Sequence, residues 1–178
     1  MREAVTVPRL RGFMHALAAK AREPGRIYLA GGASAVLQGW REYAIDIDCV
    51  IPSREDGEES RDRWGSLAAL GMTLHINVEL ASPADFVPPL PGWEERSPFI
   101  AQEGPLAFHH FDFYTQALAK IERSHRKDLD DVESMIRQRL VDPKRLAELF
   151  TEVEDSLYRY PAVDPKVLRA AVAHLASR

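Results

Sequence analysis

Apolar positions along this chain recur with two periods, and the period changes near residue 111. Leu10, Phe13, Met14 and Leu17 follow helical spacing, behind a Thr6-Val7-Pro8 start in which Thr suits a cap and Pro the first turn. Residues 26–30 (RIYLA) read as a short buried strand, broken by Gly31-Gly32, with a short helix over 33–40. Residues 44–51 (AIDIDCVI) alternate, placing Ile45, Ile47 and Cys49 on one face of a strand and Asp46, Asp48 and Val50 on the other. A charged run from Arg54 to Arg63 leads into a helix ending near Gly71, and residues 73–80 (TLHINVEL) form another alternating strand. There Leu74, Ile76, Val78 and Leu80 oppose His75, Asn77 and Glu79. Prolines 83, 88, 89, 91 and 98 predict an irregular loop over 81–98. A final strand over 106–111 ends the mixed region, and everything after Asp112 reads as helix. VDPK occurs at 141–144 and 163–166; in each copy Asp can cap a helix whose first turn holds the Pro, so no duplication is required. The pattern predicts an α/β (α+β) chain: a small mixed sheet with flanking helices over 1–111, then a helical region over 112–178.

Composition narrows the class. With 178 residues, 46% hydrophobic and 28% charged, the chain suits a globular domain with a helical extension. A net charge of −4 supplies no global basic field for nucleic acid or membranes, so such contact would need a local patch. Cys49 is the lone cysteine, which excludes an internal disulfide and a Cys-rich zinc site and suits a packed thiol in a reducing compartment. The N-terminus lacks the apolar core of a signal peptide, and no apolar run reaches the length of a membrane span. The expectation is a cytoplasmic protein without a membrane partner.

Against that background Asp46 and Asp48 need an explanation. Two carboxylates on one strand face repel, and burying either unpaired is costly. Solvation or basic partners would relieve them, as would a hard divalent cation such as Mg2+, which prefers carboxylate oxygens. Positions i and i+2 of a strand can share one ion or bridge two. Upstream, Gly31-Gly32 between a strand and a helix allow backbone N–H groups to approach an anion, and Ser34 could add a hydroxyl. A tight turn and an ordinary helix cap would equally account for these residues.

Taken together, "GGASAVL" and "DIDCVI" resemble the nucleotidyltransferase superfamily of DNA polymerase beta, and most closely small bacterial nucleotidyltransferase-like proteins, including AbiE- and MenT-type toxins of toxin–antitoxin systems. The resemblance extends to "FYTQALAKIERSHRKDLDDVESMI", where a helical Lys precedes a Lys-Asp-x-x-Asp segment. It implies an NTP substrate, two Mg2+ ions held by Asp46 and Asp48, and transfer of an NMP to an acceptor hydroxyl on tRNA, protein or a small molecule. A cognate antitoxin or toxin partner would follow from the same likeness. Gly31, Gly32, Ser34, Lys120 and Arg126 would hold the phosphates. Two departures stand out. Ala33 replaces the family's usual Ser after the glycine, and "HINVEL" offers Asn77 or Glu79 instead of a third Asp. Glu79 is the expected third ligand and general base, with Asp85 an outside alternative. These departures also motivate an inactive member that only binds nucleotide or a partner, and the same carboxylates would suit a phosphohydrolase.

In the helical half, Gln116, Lys120 and Arg123 form a polar face opposite Phe113, Ala117, Leu118 and Ile121. Asp128, Asp130 and Asp131 open the next helix, where they suit the helix dipole, with Leu129, Val132, Ile136 and Leu140 expected inside. Asp128 and Asp131 share a face, and the resemblance implies that they order Lys120 or Arg126 or contact the nucleotide. Residues 120–127 (KIERSHRK) form a local basic patch. His109 and His110 point to opposite sides of their strand, so packing or exposure is the expected role of each, and Trp93 is expected to anchor its loop.

Overall fold

The computed structural model describes residues 3–52 and 69–178 of a mixed α/β chain that divides into two compact units. One comprises Met1–Ser82 and Pro98–Phe111, the other Pro83–Ser97 and Asp112–Arg178. Residues 54–63, the charged run expected before a helix, lie outside the described residues, as does Trp64. No helix among the described residues is long and apolar enough to cross a membrane.

The first unit is built on a five-stranded sheet of β1 (Gly25–Ala30), β2 (Asp46–Val50), β3 (Asn77–Leu80), β4 (Phe99–Glu103) and β5 (Leu106–His110), in the order β3-β2-β1-β5-β4. β1 runs antiparallel to β2 and parallel to β5; β2 and β3 are parallel, and β4 and β5 antiparallel. Alternation within the strands sorts the two faces. Ile27, Leu29, Ile47, Cys49, Val78 and Phe108 join a core that also takes in Leu10, Phe13, Met14 and Leu17 of helix α1 (Val7–Lys20) and Ala33 and Val36 of helix α2 (Gly31–Gln38). Burying each large aliphatic or aromatic side chain contributes roughly 1.5–3 kcal/mol before entropy is counted.

Three boundaries differ from the pattern. α2 begins at Gly31, two residues early, because Gly31 adopts φ +54° and turns directly out of β1. β3 starts at Asn77 rather than Thr73, because the preceding helix runs on to Thr73. Its last carbonyls are taken by the Leu74 and Ile76 N–H groups, with His75 at φ +55°. Ile45 falls before β2 and is 72% exposed, so the inward set there is Ile47 and Cys49 alone. β4 is a strand the pattern did not single out; it lies at the sheet edge, with Phe99 and Gln102 exposed and Ile100 and Ala101 half-buried against the core.

The second unit holds helices α3 (Phe113–Arg123), α4 (Arg126–Arg137), α5 (Pro143–Val153) and α6 (Pro165–Ala176). Asp112, Asp142 and Asp164 each accept hydrogen bonds from first-turn N–H groups, so both VDPK copies are cap-and-proline starts. The proline-rich stretch is irregular apart from turns at Pro83–Asp85 and Trp93–Arg96. It is fastened to the helices by polar contacts: Arg96 forks onto Asp112 (Nε–Oδ1 3.2 Å, Nη2–Oδ2 2.9 Å), and Tyr160 donates to the Ala84 carbonyl.

Candidate functional site

β2 and β3 run side by side with Asp46 opposite Asn77 and Asp48 opposite Glu79. Since Ile47, Cys49 and Val78 point into the core, these four polar side chains share the other face of the sheet. Asp46, Asp48 and Glu79 each place a carboxylate oxygen within 4.8 Å of the others. Among the described residues this is where three potential metal ligands converge. The Asn77 side-chain N–H donates to Glu79 Oε1 at 2.6 Å, steadying the longest of the three.

The electrostatics match the geometry. Burial pushes the Asp46 carboxyl above the ordinary carboxylate range and the charge of Glu79 pushes it further, while its own backbone N–H and Arg41 oppose the shift without reversing it. Three acids held together, with Asp46 shifted upward despite Arg41, form a donor set suited to a hard divalent cation, whose charge would offset their repulsion. On the neighbouring rung of β1, Ala30 stands beside Asp48 and adds almost no bulk.

Gly31 is required by what touches it. A Cβ at this position would lie 2.2 Å from Asp48 Oδ2, and φ +54° is a left-handed conformation that glycine alone adopts readily. Asp48 therefore rests directly on the turn between β1 and α2. Gly32 is confined on its other side, where a Cβ would approach the Ala44 methyl to 2.8 Å and Arg41 Nη1 to 3.9 Å. Arg41 was not singled out from the sequence; it stands in an irregular loop, where no periodicity marks it.

Ser34 faces inward. It is fully buried and its hydroxyl donates to the Leu29 carbonyl at 2.8 Å. His110 Nδ1 lies 3.0 Å from Ser34 Oγ, and His110 Nε2 lies 3.0 Å from the Gln38 amide nitrogen. Because the Ser34 proton is directed to Leu29, we assign the His110 proton to Nδ1, leaving Nε2 to accept from Gln38. Burial, with smaller contributions from Arg11 and His109, lowers the His110 pKa to about 4, so the ring is neutral at physiological pH. His109 points the other way, against Tyr28 and Phe99.

The second unit gathers the remaining candidates into a cluster of its own. Lys120 Nζ lies 3.0 Å from Asp128 Oδ1 and 2.7 Å from Asp131 Oδ2, and all three side chains are buried. Arg123 forks onto Asp128 at 2.7 and 3.2 Å. Burial raises the Asp128 pKa, but Arg123 and Lys120 outweigh it and hold the carboxyl below its ordinary value. Consequently α4 turns Asp128, Asp131, Val132 and Met135 inward and leaves Leu129 42% exposed, and the face of α3 carrying Gln116 and Lys120 is interior rather than solvated. Arg126 is exposed at the start of α4, and Asp85 lies in the turn at Pro83–Asp85.

Comparison with curated proteins and with solved structures returns no match. A family model described as "Nucleotidyltransferase of unknown function (DUF6036)" matches residues 9–167, a span that contains the acid trio, the glycine turn and the Lys120 cluster. The chain belongs to this nucleotidyltransferase family.

Proposed function

We propose that the protein transfers an NMP from a Mg2+-bound NTP to an acceptor hydroxyl, using Asp46, Asp48 and Glu79. The convergence of these three carboxylates beside the Gly31-Gly32 turn is the observation that carries the reading. Two Mg2+ ions at this trio would neutralise charge on the attacking and leaving oxygens. Asp46 and Asp48, fixed on an interior strand of the sheet, would hold those ions. Glu79, held through one oxygen by Asn77, keeps its other oxygen to ligate or to take the acceptor proton. The acceptor oxygen bonds to the α-phosphorus, the bond from that phosphorus to the bridging oxygen breaks, and pyrophosphate leaves with the electron pair. The glycines admit phosphate close to the backbone. The inward hydrogen bond of Ser34 and the two carboxylates around Lys120 already engage the groups expected to hold phosphate, so we assign them to internal order in their own units.

The acceptor is found by incubating the protein with each α-labelled NTP, Mg2+ and total cell extract, then identifying the tRNA, protein or small molecule that gains label. Asp46→Asn and Asp48→Asn should lower transfer at least about a thousand-fold, since the metals supply several kcal/mol of transition-state stabilisation at ~1.4 kcal/mol per decade. Transfer at the wild-type rate in either variant rejects the mechanism. Release of inorganic phosphate without a labelled adduct would instead point to hydrolysis.

A further inference from the structure

We infer that His110 is a positioning residue for the acid trio, holding Asp48 in place through Ser34, α2 and the Gly31 turn. The inference rests on the proposed nucleotidyl transfer and adds a residue to it. α2 begins at Gly31, immediately after β1 and without a side-chain cap, and it ends after eight residues at Gly39. Two turns of helix do not hold themselves together in water, so the place of α2 is set by what it touches. The apolar part of that contact comes mainly from Ala33 and Val36, short side chains that grip little. The polar part passes through one ring. His110 Nδ1 donates to Ser34 Oγ in the first turn at 3.0 Å, and His110 Nε2 accepts from the Gln38 amide at the last residue, also at 3.0 Å. Ser34 and Gln38 are four residues apart and share a helix face, so the imidazole spans both turns. The Leu29 carbonyl closes the arrangement by accepting from the Ser34 hydroxyl and from the Phe111 N–H, each at 2.8 Å. β1, β5 and α2 are thereby tied together two residues before Gly31.

The site has little tolerance for movement of α2. Asp48 Oδ2 would stand 2.2 Å from a Cβ at residue 31, so a slide or rotation of the helix is passed directly to that carboxylate. Asp48 in turn shares the trio with Asp46 and Glu79, whose oxygens converge within 4.8 Å. Hydrogen bonds fix distance and direction where apolar contact does not, and a fully satisfied buried network specifies one arrangement. A neutral imidazole, with a donor on one nitrogen and an acceptor on the other, grips both turns of α2 at once without bringing a charge into the core. An apolar side chain at 110 would pack beside Leu29 and Phe108 equally well, but it would leave the helix free to shift.

The test measures Mn2+ affinity by electron paramagnetic resonance, nucleotidyl transfer with Mg2+ and each NTP, and the urea midpoint. His110→Phe fills similar space without either hydrogen bond, and it should weaken Mn2+ about 10- to 100-fold, the loss typical when a group that orients a metal ligand is removed. Ser34→Ala takes away only the partner of Nδ1 and should weaken Mn2+ about 3- to 10-fold. His110→Asn keeps a donor near the Nδ1 position and should return most of the affinity. Leu106→Ala, at the opposite end of β5, opens the core of the same unit; it should lower the urea midpoint and leave Mn2+ affinity within about twofold of wild type. Wild-type Mn2+ affinity in either His110→Phe or Ser34→Ala overturns the inference. So does a loss in Leu106→Ala as large as in His110→Phe, which would make metal affinity a reading of stability alone. Should His110→Phe not fold, Ser34→Ala decides by the same criteria. Weakened Mn2+ binding in these variants of a protein that transfers no nucleotide would uphold the positioning role and remove the proposed reaction. A wild type that binds no Mn2+ overturns both.

Discussion

A methyl group at Gly31 has nowhere to go. Gly31→Ala would force the Asp48 carboxylate off its seat and hold an L-residue at φ +54°, a conformation costing roughly 1–2 kcal/mol. We expect the variant to fold, to melt several degrees lower, and to lose most transfer activity, because the displaced oxygen belongs to a metal ligand. Wild-type activity with a lowered melting temperature would make Gly31 a turn residue only. Asp46→Asn should behave in the opposite sense without metal. Removing one of two charges that repel relieves the site, so the metal-free protein melts higher, while the rise in melting temperature on adding Mg2+ disappears. Differential scanning fluorimetry with and without Mg2+ reads both effects, and a Mg2+ response as large in Asp46→Asn as in wild type would exclude Asp46 as a ligand.

At the scale of elements, the α3–α4 pair is joined through charge. Lys120 sits between two buried carboxylates, and Lys120→Met would leave Asp128 with Arg123 and take the ammonium away from Asp131. Breaking a buried pair in this way costs about 3–5 kcal/mol, so a steep drop in the urea midpoint of the second unit is expected. A midpoint within experimental error of wild type would show that the cluster contributes nothing net. This pairing also marks where the sequence stopped being readable. In β2 the alternation survives intact, because each side chain's face follows from its own position, and the acid pair was visible at once. In α4 the inward face was assigned by counting apolar residues, which favours Leu129 and Ile136. The helix instead turns its aspartates inward because Lys120 and Arg123, in another helix, receive them. Arg41 and β4 escaped notice for related reasons: one acts across a loop and the other is an edge strand with little apolar alternation to show.

For the molecule as a whole, the buried titratable groups of the two units differ, and acid should unfold the units at different pH. In the first unit His110 is neutral and buried, with its pKa lowered from 6.5 to about 4. An unfolded chain takes up a proton near pH 6.5 that the folded one refuses until about pH 4, so the stability tied to His110 is complete above pH 6.5 and drains away between those values. Across that interval the loss is on the order of 3 kcal/mol, at ~1.4 kcal/mol per pH unit. Protonation would also place a donor at Nε2 against the Gln38 amide, opposing two N–H groups. In the second unit the sign is the same but the window lies lower. Asp128 is held below its ordinary 3.8, so its contribution is present above that value and fades only as pH falls beneath it. Acid should therefore loosen β1, β5 and α2 near pH 4–5 while α3 and α4 stay protected. Amide hydrogen exchange followed by mass spectrometry, at pH 7, 5 and 3.5 and corrected for intrinsic rates, resolves the two sets of peptides. His110→Asn should flatten the pH dependence of the first set and leave the second as it was. Equal deprotection of both sets at pH 5 would mean that His110 does not govern the first unit's acid response, and that the difference in their buried charges has no consequence for folding.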